Sequence, residues 1–253
     1  MSRLRERASR RSSGERGSHL AREQRLVAWQ SASLLLGYPD QHLLDHLALV
    51  AEGSRTLPEA VGEPLRRSAT ALAELPLPDL EADYVETFDS RRRHNLFLTY
   101  FAHGDTRKRG LALLRFKQAY QASGVAVDET TPVGAELPDH LSVVLEYAAT
   151  VDQEQGLQLL LDHRAGLELL RMSLAEKGSR WAGAVEAVTA TFPPLRGEEV
   201  EAVRRLAAEG PPAEEVGLTP YATPGFDPGP APPGPPGPSG PTLLPMPTFR
   251  AGG

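Results

Sequence analysis

No stretch of this chain alternates apolar and polar residues up to a hairpin turn. Its apolar residues recur instead at the three- and four-residue spacing of one helix face, and most such runs stop at glycine or proline. That pattern restricts the chain to helix packed on helix. Leu20 to Leu36 reads as a first helix, with Leu26, Trp29, Ser33 and Leu36 on one face, Gly37 at its end and Pro39 beyond. Asp40 reads as the N-cap of a second helix carrying Leu43, Leu44 and Leu47. A third spans Gly62 to Leu75 with Pro64 in its first turn, and Asp79 caps a fourth lined by Leu80, Tyr84, Val85 and Phe88. Arg91 to Phe101 reads as helix, although Phe97, Thr99, Tyr100 and Phe101 also suit a strand. Asp105 to Ser123, closed by Gly124, is the clearest helix. Pro138 to Val151, Glu154 to Lys177, Ser179 to Phe192 and Gly197 to Glu209 follow. The expectation is one compact all-α domain of roughly nine or ten helices.

Composition limits that domain at both ends. Residues 1–18 are rich in arginine, serine and glutamate and poor in apolar groups, so they are expected to form a disordered basic arm. Residues 211–253 are dominated by proline and glycine, cannot bury enough apolar surface to offset ordering, and are expected to be a disordered tail. The helical domain is expected over residues 19–210, enough chain for one sizeable core. The chain has no cysteine, which removes disulfides, thiolate catalysis and cysteine-ligated metal and fits a reducing cytoplasm. No apolar run approaches the ~20 residues of a membrane span, and no apolar segment follows the basic N-terminus to make a secretory signal. Neither membrane insertion nor secretion is expected.

The net charge of -6 hides blocks. Residues 26–88 carry 3 basic and 10 acidic groups, residues 89–120 carry 8 and 2, and residues 121–215 carry 7 and 17. A basic island between acidic flanks is a shaped surface, not a general nucleic-acid binder. Arg91-Arg92-Arg93-His94 and Arg107-Lys108-Arg109, with aromatics nearby, would suit nucleic acid, but the aromatics fall at helical spacing and read as core. Arg107, Lys108 and Arg109 oppose the dipole at the start of their helix, so they serve either pairing within the chain or an anionic partner. His42 and His46, four residues apart beside Asp45, could share a metal, yet no third ligand lies near in sequence. The chain has no GxSxG, HExxH or phosphate-binding GxxxxGK[ST] sequence, and no enzyme is expected. Glu136-Leu137-Pro138-Asp139-His140-Leu141 reads as a helix start whose exposed acids and histidine, followed by Glu146 and Tyr147, would suit a basic amphipathic peptide.

Five short pieces in order carry a family resemblance: Leu34-Leu35-Leu36-Gly37-Tyr38-Pro39-Asp40, Tyr84-Val85-Glu86-Thr87-Phe88-Asp89, His103 through Gly110, Tyr120-Gln121-Ala122-Ser123-Gly124, and Glu136 through Leu141 with Leu145-Glu146-Tyr147. Over about residues 24–210 the chain resembles the nitrate reductase molybdenum cofactor assembly chaperones, delta-subunit-like members of the TorD-like redox-enzyme maturation chaperones. The resemblance implies an all-helical cytoplasmic protein with no catalytic activity and no cofactor of its own. It implies as partner the apo catalytic (alpha) subunit of a nitrate reductase, bound through its N-terminal peptide and held open for cofactor insertion. It places the peptide-binding surface of the wider group on Asp139 and His140, although this chain lacks one residue of the motif found in some relatives. The expected peptide-binding set is Tyr38, Glu136, Asp139, His140, Glu146 and Tyr147. The competing expectation is a helical regulatory protein that binds an anion or nucleotide through Arg107 and Arg109.

Overall fold

A computed structural model describes residues 20–104, 106–125 and 137–212. The expected N-terminal arm, Asp105 and its capping role, Glu136, and the tail from residue 213 onward lie outside those residues. Among the described residues the protein is helical, with eleven α-helices: α1 Arg22–Leu36, α2 Gln41–Gly53, α3 Glu59–Ala73, α4 Leu77–Phe88, α5 Tyr100–His103, α6 Arg107–Ala122, α7 Leu141–Thr150, α8 Gln153–Asp162, α9 Arg164–Glu176, α10 Ala182–Ala190 and α11 Glu198–Glu209.

The centre is built on two tryptophans. Trp29 of α1 and Trp181, just before α10, have no exposed surface. Trp29 donates its indole N–H to Thr191 Oγ1 at 3.0 Å, and Trp181 meets the rings of Tyr84 and Phe88 edge-on. Each such side chain contributes about 1.5–3 kcal/mol by leaving water. Helix α1 lies against α7 and α10, α10 against α3, α9 carries α10 on one side and α11 on the other, and α8 packs on α7. Among the close approaches that need glycine are two in α9 and α10. A Cβ on Gly183 would sit 2.2 Å from the Pro64 carbonyl oxygen, and one on Gly166 would sit 2.7 Å from the Phe101 ring.

Several elements differ from the sequence-based expectation, each for a physical reason. Helix α3 starts at Glu59, so Pro64 is inside it and not in its first turn. Helix α4 starts at Leu77 with Pro76 as N-cap and Pro78 in its first turn, so Asp79 is a first-turn acid and not the cap. The expected helix from Glu154 to Lys177 is two helices, capped by the Asp152 carboxylate and broken at His163, whose Nδ1 hydrogen-bonds the Leu159 carbonyl. The last two helices are shorter at their starts than their apolar patterns, at Ala182 and Glu198. Arg91 to Phe101 is not a helix. A single 3-10 turn at Arg92–His94 leads into an extended crossing and then the four residues of α5. The strand character of Phe97 shows as one isolated antiparallel bridge to His140. That bridge also delays α7, which begins at Leu141 and not at Pro138.

Candidate functional site

The bridge is the point at which the sequence's sharpest motif meets the rest of the chain. Leu98 N–H donates to the Asp139 carbonyl at 3.0 Å, and Leu141 N–H donates to the Leu96 carbonyl at 2.9 Å. Two strands one bridge long satisfy backbone groups that would otherwise be orphaned between α4 and α5. The Asp139 side chain completes the join. Its Oδ2 accepts from the Thr99 amide at 3.1 Å and from the Thr99 hydroxyl. Arg109 of α6 donates Nε–H to Thr99 Oγ1 at 3.2 Å, brings Nη2 to 3.9 Å from Asp139 Oδ2, and lies over the Phe97 ring at 5.1 Å. Asp139 is 0% exposed and His140 6%. The His140 ring shares a hydrogen bond of 2.7 Å with Ser142 Oγ and meets Phe97 edge-on.

This overturns the reading of Asp139 and His140 as exposed groups at a helix start. Proline at 138 and acid at 139 fit a first helical turn, but backbone pairing with residues 96–98 holds both outside the helix and turns the carboxylate inward. The remaining expected residues scatter. Tyr147 is buried beneath the join. Its hydroxyl pairs with Ser123 Oγ at 2.8 Å, and its ring tilts on Tyr120, which donates its hydroxyl to the Pro138 carbonyl at 2.6 Å. Burial pushes the hydroxyl pKa of both tyrosines above the ordinary value, so both stay protonated donors. Glu146, next to Tyr147 on α7, is exposed. Tyr38, 52% exposed, stacks edge-on against Tyr84 at 5.4 Å.

The basic turn divides as arginine chemistry suggests. Arg109 is held inside the molecule by Thr99 and Asp139, whereas Arg107 and Lys108 are exposed on the first turn of α6. Leu111 and Leu114 on the same helix are also exposed, and its buried face is Phe116, Ala119 and Tyr120. No cluster of three metal-capable side chains occurs among the described residues. His46 Nδ1 faces the His42 carbonyl at 2.7 Å, so one ring nitrogen is already engaged.

Two features went unread in the sequence. One is an open groove of about 680 Å³ between α3, α4 and the α9–α10 turn. Its wall presents Asp83, Glu86 and Glu186 beside Arg67, Arg91, Lys177 and Arg180, with Arg180 paired to Asp83 at 3.4 Å and Arg67 paired to Glu186. Exposed pairs of this kind are worth about 0–1 kcal/mol, so a charged ligand can displace them. The other is the use of Arg92 and Arg93, which bind main-chain carbonyls of the C-terminal segment rather than an anion. Only the bare charge of Arg91-Arg92-Arg93 was visible in advance.

Residues 54–187 match the family model of the nitrate reductase delta subunit. The chain belongs to that family. Over 165 residues it is 39% identical to the nitrate reductase-like protein NarX of Mycobacterium tuberculosis, covering 65% of this chain and 24% of that protein's length. It is 32% identical over 163 residues to the NarJ protein of Bacillus subtilis, covering 62% of this chain and 84% of that one. It is 33% identical over 153 residues to the nitrate reductase molybdenum cofactor assembly chaperone NarJ of Escherichia coli, covering 59% and 63%. The latter two are named as chaperones and not as catalysts. Both the join at residues 96–99 and 139–141 and the charged groove fall within the delta-subunit match, whereas α11 lies beyond it.

Proposed function

We propose that this chain is an assembly chaperone of a respiratory nitrate reductase. It binds the N-terminal segment of the apo catalytic subunit in the cytoplasm and holds that subunit competent for molybdenum cofactor insertion and complex assembly. It catalyses no reaction itself. The observation that carries the reading is the delta-subunit match over residues 54–187, joined to the chaperone name of the Escherichia coli relative. The absence of a helix long and apolar enough to cross a membrane among the described residues is compatible with it.

The buried join changes how the sequence motif serves this function. Asp139 and His140 position the start of α7 and the crossing at residues 96–98, and the acids that a basic peptide could reach are on open surfaces. Asp83, Glu86 and Glu186 of the charged groove and Glu146 of α7 meet that requirement. The anion-binding alternative loses half of its expected pair, because Arg109 is engaged by Thr99 and Asp139.

The test is calorimetric titration of the chain with a synthetic N-terminal peptide of the catalytic subunit encoded beside it, with pull-down of the apo subunit in parallel. Saturable binding at micromolar or tighter Kd, about -8 kcal/mol or better, is expected. No heat and no captured subunit would reject the proposal, and tight binding of ATP or pyrophosphate instead would favour the anion-binding reading.

A further inference from the structure

Helix α11 is attached in an unusual way. It has no buried residue of its own, although Leu206 and Ala207 pack partly against the core. The buried residue is Pro211, one position after Gly210 ends the helix at φ +75°. Arg92 holds this point. Its Nε donates to the Tyr100 hydroxyl at 3.0 Å, which orients Nη2 toward the Pro211 and Pro212 carbonyls at 3.0 and 2.8 Å. Arg93 adds a bond to the Ala207 carbonyl at 3.0 Å. A proline pair has no N–H, so its main chain can be gripped only through its carbonyls, and two donors from one guanidinium suit it. Gly104, at φ +57°, makes the room: a Cβ there would lie 2.3 Å from the Pro212 carbonyl oxygen.

Beneath this segment is a groove of about 330 Å³. Leu98, Phe101 and Gly166 line it on one side and Leu206 and Pro212 on the other, with the ionisable Asp162, His163, Arg205 and Glu209 around them. The first side lies inside the family match at residues 54–187, and the segment covering it, residues 198–212, lies outside that match. A cover held by main-chain bonds and half-buried side chains opens at lower free energy than the core beneath it.

We infer that this groove is a docking site for an extended apolar segment of the client, and that Pro211–Pro212 with α11 closes it over as a displaceable cover. Recognition would follow the polyproline mode: main-chain carbonyls to Arg92, and small apolar side chains on Leu98 and Phe101. The identity of the competing segment as the client's N-terminal peptide rests on the function proposed above. The groove and its cover do not.

The test uses the full chain and Leu206→Glu, which places a carboxylate on the packed side of α11 and leaves Leu98, Phe101 and Gly166 unaltered. Amide exchange over residues 198–209 should quicken about tenfold or more while α3 and α10 keep their protection. Where it does not, Pro211→Asp, which puts a carboxylate in the buried position, replaces it. Two probes are titrated: the client N-terminal peptide, and a synthetic peptide of this chain's residues 206–213, Leu-Ala-Ala-Glu-Gly-Pro-Pro-Ala. Both should bind the opened variant about tenfold more tightly than the wild type, a difference of about 1.4 kcal/mol. Adding Arg92→Ala should abolish the gain. Binding of the chain's own peptide without the client peptide keeps the groove and counts against the proposed function. Equal affinity of the chain's own peptide for opened and wild-type protein, or binding to neither, overturns the inference.

Discussion

At the scale of single residues, Asp139 decides between two accounts of the motif. A carboxylate with no exposure that accepts two bonds from Thr99 and faces Arg109 is a structural group. Its second oxygen, Oδ1, is buried without a hydrogen-bond partner among the described residues, so the site already bears some desolvation cost. Asp139→Ala removes the acceptor of the Thr99 amide and hydroxyl and the buried carboxylate that faces Arg109. Such losses cost about 2–4 kcal/mol, or roughly 5–15 °C of thermal midpoint in a domain of this size. Peptide affinity per folded molecule should be unchanged. A midpoint within 2 °C of wild type (about 0.5–1 kcal/mol) with weakened peptide binding would restore the exposed-site account. Two histidines set the pH response. Burial holds His94 and His163 below the ordinary imidazole pKa, so the folded state favours their neutral forms. The unfolded chain takes up the protons as pH falls through about 6.5, which means that this contribution to stability is complete above that value and lost below it. The thermal midpoint should therefore fall from pH 7.5 to 5.5, with a shallower slope in His163→Gln; parallel slopes would remove His163 from the explanation.

At the scale of elements, the sequence shows where helices are more reliably than where they begin. The Asp40 cap was legible because capping is local: its carboxylate accepts from the Leu43 amide at 2.8 Å. The 95–99 crossing was not, because its partner strand is forty residues away and supplies one bridge, which no periodicity records. The break at His163 was hidden for a related reason, since apolar residues continue in phase on both sides of it. Glycine in this sequence reads as punctuation at helix ends, yet two glycines inside these helices have opposite meanings. Gly183 lets α10 approach α3, and Gly183→Ala would drive a methyl group into the Pro64 carbonyl oxygen at 2.2 Å and Ser68 Oγ at 2.8 Å. The helices must separate, at about 1–3 kcal/mol or more. Gly110, on the open side of α6, has nothing within 4 Å of a built Cβ. Gly110→Ala should stabilise by up to about 1 kcal/mol through helix propensity. Denaturant midpoints of the two variants should move in opposite directions, and a shared direction would show that the close approach at Gly183 relaxes.

At the scale of the whole molecule, the basic block of residues 89–120 divides between seams and open surface. Arg109 turns inward to Thr99 and Asp139, Arg115 reaches Asp162 at 3.3 Å from an exposed position, Arg92 and Arg93 hold the C-terminal segment, and Arg91, Arg107 and Lys108 stay exposed. The seam made by Arg92 and Arg93 bears on the domain boundary expected from the sequence. The proline-rich composition suggested a boundary at residue 211, but Pro211 is buried and both proline carbonyls are bound. We therefore expect two truncations a few residues apart to behave differently. A chain ending at Pro212 keeps the Arg92 bonds and should hold its thermal midpoint within about 2 °C of the full chain, under 1 kcal/mol. A chain ending at Glu209 leaves Arg92 without those acceptors and uncovers the position of Pro211. Its loss should appear first as faster amide exchange over α11, because that helix has no buried side chain of its own to hold it, and only later as a lower midpoint. Equal protection of α11 in the two truncations would mean that Leu206 and Ala207 anchor the helix unaided, and that Arg92 contributes nothing to the cover.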